Sequence, residues 1–493
     1  MEKTLFLGLA LFALVTQTSA EESLPLKIGA ASCVINNRLG TWVQGTGVAR
    51  RATRQRDDLE ASALYLSDGK TPLLLVSCDL VGLDSRPVAA MRRAMGRAGG
   101  IPPRNIVIAC THTHGGPSLL KTNYLMPVDD AYLERLQAWL VELAQQALQS
   151  ARPGKLGWGK GTARIGFNRR LCWADGTHTM HGDASRPDFT GLEGPDDPQH
   201  LAIFAADSNG KLIAVLHHNT SHPTIFYGSG IYSADFPGEA RRILRDRVGD
   251  IPVLYLNGAQ GDIGLDDMVN RRQESREARL QRIGRMVANE TLRLYRKVTY
   301  HERPVLAHAY EDLKVGVRLP DPERLKDARK VLERIDAGEN IRGMRMIMAF
   351  GTVRLQEVYG EDPVEILPIH AIRIGDVALV TQPCELYCQF GLDIKRRSPA
   401  PVTAVVGLAD GFGGYCPTIE GRCPRGIRTG SAYRRRPLRF AGGHPRAGRS
   451  RAPPSSAVFR RPRGCFRIGR GPGAWAVLSP RSALRRRLVP GWV

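Results

Sequence analysis

The sequence predicts an α/β fold, with mixed sheet layers and flanking helices in a single large domain. Three observations carry that expectation: apolar runs of strand length, helical patterns between them, and neighbouring runs close enough to form hairpins. The strand-length runs fall at residues 72–79, 105–110, 201–206, 212–217 and 252–257, with more across 366–381 and 402–408. Helical patterns occupy residues 87–97, 130–150, 238–248 and 274–295. The runs at 201–206 and 212–217 are joined through Asp207-Ser208-Asn209-Gly210, a turn-forming string, so antiparallel pairs are expected beside parallel ones. At 493 residues and 42% hydrophobic content, the chain is long enough for a large core or two domains. Residues 176–199, rich in Gly, Pro and Asp, read as a long surface loop or lid.

The N-terminus places Lys3 before an apolar run from Leu5 to Val15, and ends on the small residues Thr18-Ser19-Ala20. That order reads as a signal peptide over residues 1–20, so an exported protein, periplasmic or secreted, is expected. The run is too short to span a bilayer; an uncleaved anchor is the alternative. Nine cysteines are an odd number, and Cys78 and Cys110 sit inside apolar runs, so they read as small buried hydrophobes rather than a disulfide framework. Cys384 and Cys388 have a spacing that fits neither a CxxC motif nor a zinc knuckle.

A formal charge of +22 would ordinarily point to nucleic acid. Its distribution argues otherwise. Residues 421–493 hold 19 Arg and no Lys, Asp or Glu, which leaves 51 of the 70 basic residues against 48 acidic ones before position 421. The first 420 residues are nearly neutral, and no nucleic-acid partner is expected for them. The tail lacks hydrophobic periodicity and reads as a disordered basic arm or as the out-of-frame product of GC-rich coding DNA.

The strongest local chemical signal is Thr111-His112-Thr113-His114-Gly115-Gly116-Pro117, directly after an apolar strand. If the extended backbone continues, its period of two puts His112 and His114 on one face at a strand end. A neutral imidazole is a common metal ligand, and a second candidate, His222, follows another strand in Asn219-Thr220-Ser221-His222-Pro223-Thr224. His217 and His218 compete with it, and spacing does not rank the three. His178 and His181 in the 176–199 loop read as solvated. Asp79, Asp235 and Asp262 lie at strand or loop ends and either orient ligands or cap turns.

Taken in order, several blocks resemble the neutral, non-lysosomal ceramidases: IVIACTHTHGGP at 106–117, FNRR at 167–170, NTSHPT at 219–224, NGAQGDI at 257–263, QPCELYCQFGLDIK at 382–395 and GLADGFGGYCPT at 407–418. The ordered set is more specific than any one block. The resemblance implies a zinc hydrolase domain over residues 21–420, followed by the tail at 421–493. It also implies four zinc ligands, His112, His222, Glu385 and Tyr415, with His114 and Arg169 beside the metal as the groups that hold and protonate the scissile amide. The glycine before the family's glutamate is Cys384 here. The activity implied is hydrolysis of an N-acyl amide such as ceramide by a metal-activated water, with a lipid-like substrate and peripheral membrane contact as partners. A nitrogen and oxygen ligand set of this kind suits Zn²⁺.

Two departures stand out. Where the family has a serine in Gly-Asp-Val-Ser-Pro-Asn, this chain has Gly264, which excludes a serine nucleophile there, and no GxSxG elbow occurs elsewhere. The family's second substrate-loop tyrosine, twelve residues after the metal-binding one, is Ile427. Two alternatives remain open: a zinc amidase or esterase acting on another acylated metabolite, and an inactive exported binding protein with the same fold.

Overall fold

The computed structural model describes residues 25–45, 49–120, 126–418 and 433–434. They fall within one compact unit, Glu22–Arg436. The signal-peptide expectation for residues 1–20 and nearly all of the 421–493 tail lie outside the described residues; of the tail, Tyr433–Arg434 pairs with Gly316–Val317.

Eight long strands make the main sheet: β1 Lys27–Val34, β2 Glu60–Ser67, β3 Pro72–Cys78, β4 Ile106–Cys110, β5 Arg152–Thr162, β6 Gln199–Asp207, β7 Leu212–Asn219 and β8 Val253–Asn257. Their order across the sheet is β8-β7-β6-β5-β1-β2-β3-β4, with the short Tyr300–His301 strand added alongside β5. The pairs β3/β4 and β7/β8 are parallel; the remaining pairs are antiparallel, so the mixed sheet expected from sequence is present. A second sheet contains β9 Leu306–Val317, β10 Val364–Ile374, β11 Val377–Thr381 and β12 Val402–Val406, of which β11/β12 is the parallel pair.

Alternation of side chains explains the layering. Along β3, Leu73 and Leu75 join a core shared with Ile372, Ile374, Leu379 and Val406 of the second sheet. Leu74, Val76 and Cys78 point the other way, onto two helices, α1 Ser85–Gly99 and α2 Asp130–Gln149, through Met91, Met95, Leu136 and Leu140. Farther along that face, α3 Asp235–Val248 and α4 Arg276–Tyr295 cover β6 to β8 through Phe236, Leu244, Ile283 and Val287. The result is a helix layer, a central sheet buried on both faces, and a second sheet. Truncating any of these core leucines to Ala is expected to destabilise the fold by about 2–5 kcal/mol.

Three further helices complete the described unit: α5 Pro322–Asp336, α6 Met344–Tyr359 and α7 Cys388–Arg397. The 176–199 region differs from the loop expected. His178–Met180 and Phe189–Leu192 flank Arg170–Trp173 in a small three-stranded sheet, with Trp173 packed on Leu171 and Met268.

The three parallel pairs of the two large sheets position the site. Each ends in register, at Cys78↔Cys110, Asn219↔Asn257 and Thr381↔Val406. The six chain segments leaving these ends meet at one place, the crevice outside the carboxyl ends of parallel strands where α/β proteins commonly bind ligands.

Candidate metal centre

Stitching between those segments starts at the backbone. Thr111 N–H donates to Cys78 O, His112 N–H to Leu80 O, Gly258 N–H to Asn219 O, Gly407 N–H to Asn257 O and Cys110 N–H to Leu408 O. Glu385–Leu386 and Tyr415–Cys416 then form a short parallel pair with Glu385 directly beside Tyr415. Phe167–Asn168 pairs with Ile263–Gly264, which brings Arg169 alongside. All six residues named from the sequence therefore converge, although they span residues 112 to 415.

The two histidines of the 112–114 segment do not meet by strand periodicity. His112 has φ 71°, a left-handed conformation that a non-glycine residue adopts only when its surroundings impose it. The turn there, rather than an extended face, aims both rings at one point. Their Nε2 atoms lie 3.3 Å apart, and His222 Nε2 is 3.0 Å from His112 Nε2. Gly45 is required by close approach: a Cβ there would fall 2.5 Å from His114 Nδ1.

The hydrogen bonds on the far side of each ring fix the proton positions. Nδ1 of His112 lies 2.6 Å from Val81 O, that of His222 3.1 Å from Gln260 O, and that of His114 2.5 Å from Gly45 O. A carbonyl oxygen can only accept, so each Nδ1 carries the hydrogen and each Nε2 presents a lone pair. Burial lowers the His114 pKa to about 3 and holds His222 well below the ordinary histidine value, so both rings are neutral at pH 7. Three lone pairs thus face one another in a dry pocket.

Glu385, 3% exposed, adds a carboxylate. Its Oε2 lies 3.3 Å from His222 Nε2 and 3.5 Å from His112 Nε2, yet has no hydrogen-bond donor of its own. Tyr415 hydrogen-bonds to Glu385 and receives Arg169 Nη2 at 3.3 Å; burial, then the Glu385 charge, drives its phenol pKa upward. Arg169 also reaches Gly261 O at 3.1 Å and His222 Nε2 at 3.3 Å.

Imidazole nitrogens and a carboxylate oxygen gathered at one buried point, with Arg169 at their edge, could hold a cation. Among the described residues, His112, His114 and His222 form the group able to hold a metal ion, and Glu385 and Tyr415 supply oxygen at the same point. Imidazole and carboxylate are donors that zinc shares with other transition metals.

Other histidines have structural partners. His218 Nε2 bonds Val405 O, while His200 bridges Asn219 and Thr291; both are buried. His178 Nδ1 lies 2.7 Å from Glu193 Oε2, a buried partner that the surface-loop reading did not anticipate. His181 donates its backbone N–H to Arg169 O. Cys384 and Cys388 are buried thiols with strongly raised pKa values, caused first by burial.

Asp262 proves to be a junction. It accepts from Asn168 Nδ2 at 2.8 Å and from Cys388 N–H at 2.7 Å, and its backbone carbonyl takes Arg169 N–H. The Arg169 and Glu385 segments are thereby locked to the loop that holds His222. Sequence reasoning singled out Asp262 but not these partners. It missed the carbonyls of Val81, Gln260 and Gly45 altogether, because a backbone group leaves no residue signature.

The fold and site define a layered α/β protein with a buried, metal-competent histidine and carboxylate cluster at its strand ends. Among solved structures, the chain is similar to the neutral ceramidase of Pseudomonas aeruginosa, with TM-score 0.64 and 17% identity over 84% of this chain and 72% of that one. A ceramidase complexed with C2 gives TM-score 0.61 and 16% identity over 83% and 72%. The chain has the neutral ceramidase fold, as the ordered motifs led one to expect. No family model matches the sequence, and no curated protein does.

Proposed function

We propose that the protein hydrolyses the amide bond of a ceramide-like N-acyl lipid, with zinc held by His112, His222, Glu385 and Tyr415. The observation that carries this reading is the convergence of three Nε2 lone pairs and an unpartnered carboxylate oxygen within one buried cluster. The fold shared with ceramidases supports the substrate class.

When bound, zinc supplies Lewis acidity and lowers the pKa of the hydrolytic water. The chain supplies orientation and proton transfer. The Nδ1–H bonds to Val81 O and Gln260 O hold the rings of His112 and His222 with their lone pairs inward. Arg169, with Nη2 near the cluster, donates toward the carbonyl oxygen and stabilises the negative charge that grows there during attack. His114, neutral and anchored at Nδ1, accepts a proton at Nε2 and delivers it to the departing amine. Gly264 leaves no hydroxyl beside Arg169; a Cβ there would meet Arg169 Cδ at 3.3 Å. Export to an extracytoplasmic compartment is part of the same reading, supported by the apolar N-terminal run.

Turnover of an N-acyl sphingoid base before and after chelation tests the proposal: release of fatty acid should stop with the metal removed and return with zinc. Undiminished turnover after chelation would refute it.

A further inference from the structure

One wall of the site is aromatic. Tyr227 places its ring centroid 5.8 Å from that of His114, tilted by 47°, and the residue is 46% exposed. The backbone that carries it forms a hydrogen-bonded turn. Tyr227 N–H donates to Thr224 O at 3.1 Å and Ser229 N–H to Phe226 O at 3.1 Å, while Phe226 is buried in the core under α3 and α4. Asp235, fully buried with φ 57°, takes the N–H groups of Ile225 at 2.7 Å and Phe226 at 3.3 Å.

The same turn is tied to the His114 segment. His114 N–H donates to Pro223 O at 3.0 Å, Ser233 N–H to Gly115 O at 2.9 Å, and the Thr113 hydroxyl to Ser233 O at 2.6 Å. The turn that carries Tyr227 is therefore hydrogen-bonded to the segment that carries His114, and it leaves the ring half exposed next to the group that handles the amine's proton. An exposed ring contributes little to folding; on a hydrogen-bonded turn beside a reacting centre, it offers a contact for an apolar chain.

We infer that Tyr227 is a specificity-determining residue for the amine side of the substrate, selecting amides whose leaving amine carries a long aliphatic chain. The inference rests on the functional reading above, since His114 faces the departing amine, and it adds the residue that reads that leaving group. The methylenes next to the amine nitrogen lie along the ring, while the acyl chain extends away from it.

Two amides with the same octanoyl group test this, one releasing octylamine and one releasing ethanolamine, each assayed with wild type, Tyr227→Ala and Tyr227→Phe. Tyr227→Ala should raise KM about tenfold for the octylamide, the ratio expected for uncovering one to two methylene groups. Its kcat for that substrate, and both constants for the ethanolamide, should stay near wild type. Tyr227→Phe should match wild type on both. Equal losses on both substrates, or no loss on either, would overturn the inference. Calorimetric titration with octylamine alone reads the subsite without turnover, and Tyr227→Ala should weaken that binding about tenfold. If wild type cleaved neither amide yet bound octylamine in a Tyr227-dependent way, the hydrolase reading would fail and the subsite would stand. Octylamine binding indifferent to Tyr227→Ala would sink the subsite itself.

Discussion

Glu385→Gln separates metal binding from folding, because it keeps the shape of a buried side chain and removes only its charge. Glu385 Oε2 has no hydrogen-bond donor and faces His222 Nε2 at 3.3 Å and His112 Nε2 at 3.5 Å. A glutamine amide at that position donates to those lone pairs, so the metal-free variant should be no less stable than wild type, within about 1 kcal/mol. Zinc reverses the order. At a free zinc concentration 1,000 times its Kd, wild type gains about 4 kcal/mol of stability. Losing the carboxylate weakens the site by roughly 100-fold, so the same zinc concentration is only about ten times the variant's Kd and the gain falls to about 1.4 kcal/mol. Urea unfolding of both proteins, chelated and zinc-loaded, reads all four values. Equal zinc-induced gains in the two proteins would refute the placement of the metal. A metal-free variant weakened by several kcal/mol would show that Glu385 serves the fold instead.

Three other outcomes follow from the geometry. Arg169→Lys, which cannot reach Gly261 O, Tyr415 and His222 together, should lower kcat about 10²–10³-fold with little change in KM; a purely raised KM would contradict its role at the developing charge. Burial lowers the His200 pKa from 6.5 to about 4, so between those values the unfolded chain takes up a proton that the folded one refuses. Stability should therefore fall by about 3 kcal/mol as pH drops through that window, and His200→Gln should flatten the slope; identical slopes in the two proteins would contradict this. A fluorophosphonate should leave amide hydrolysis intact, since Gly264 stands at the family's serine position, and stoichiometric inactivation would overturn the metal mechanism.

The parts of the fold legible in the sequence were those with local signatures. The runs at β3, β4, β7 and β8 are apolar because both faces of the sheet are covered, and helices α1 to α4 carry continuous amphipathic patterns that place them within three residues at either end. Strand β5 was not legible: Arg152–Thr162 contains Gly154, Gly157, Gly159 and Gly161, which blur a strand pattern but allow Val298, Leu294 and Glu290 to pack against the backbone. The antiparallel β9–β10 pairing escaped because its strands are separated by α5 and α6, and it is visible only in three dimensions. At the site, His112, His114 and His222 could be singled out by residue type and strand-end position, although His217 and His218 were competitors until their hydrogen-bond partners separated them. Glu385, Tyr415 and Arg169 came only with the ordered family motifs. No local pattern links positions 169, 385 and 415; register between distant strands does.

The central claim is tested most directly by titrating zinc into chelator-stripped protein while zinc content and hydrolysis of an N-acyl sphingoid base are followed on the same sample. A single cluster built from His112, His222, Glu385 and Tyr415 predicts saturation near ~one zinc per chain, with turnover rising in proportion and reaching its plateau at that equivalence. Turnover already at its plateau in the zinc-free sample, or zinc binding at full stoichiometry with no hydrolysis at any equivalence, would contradict it.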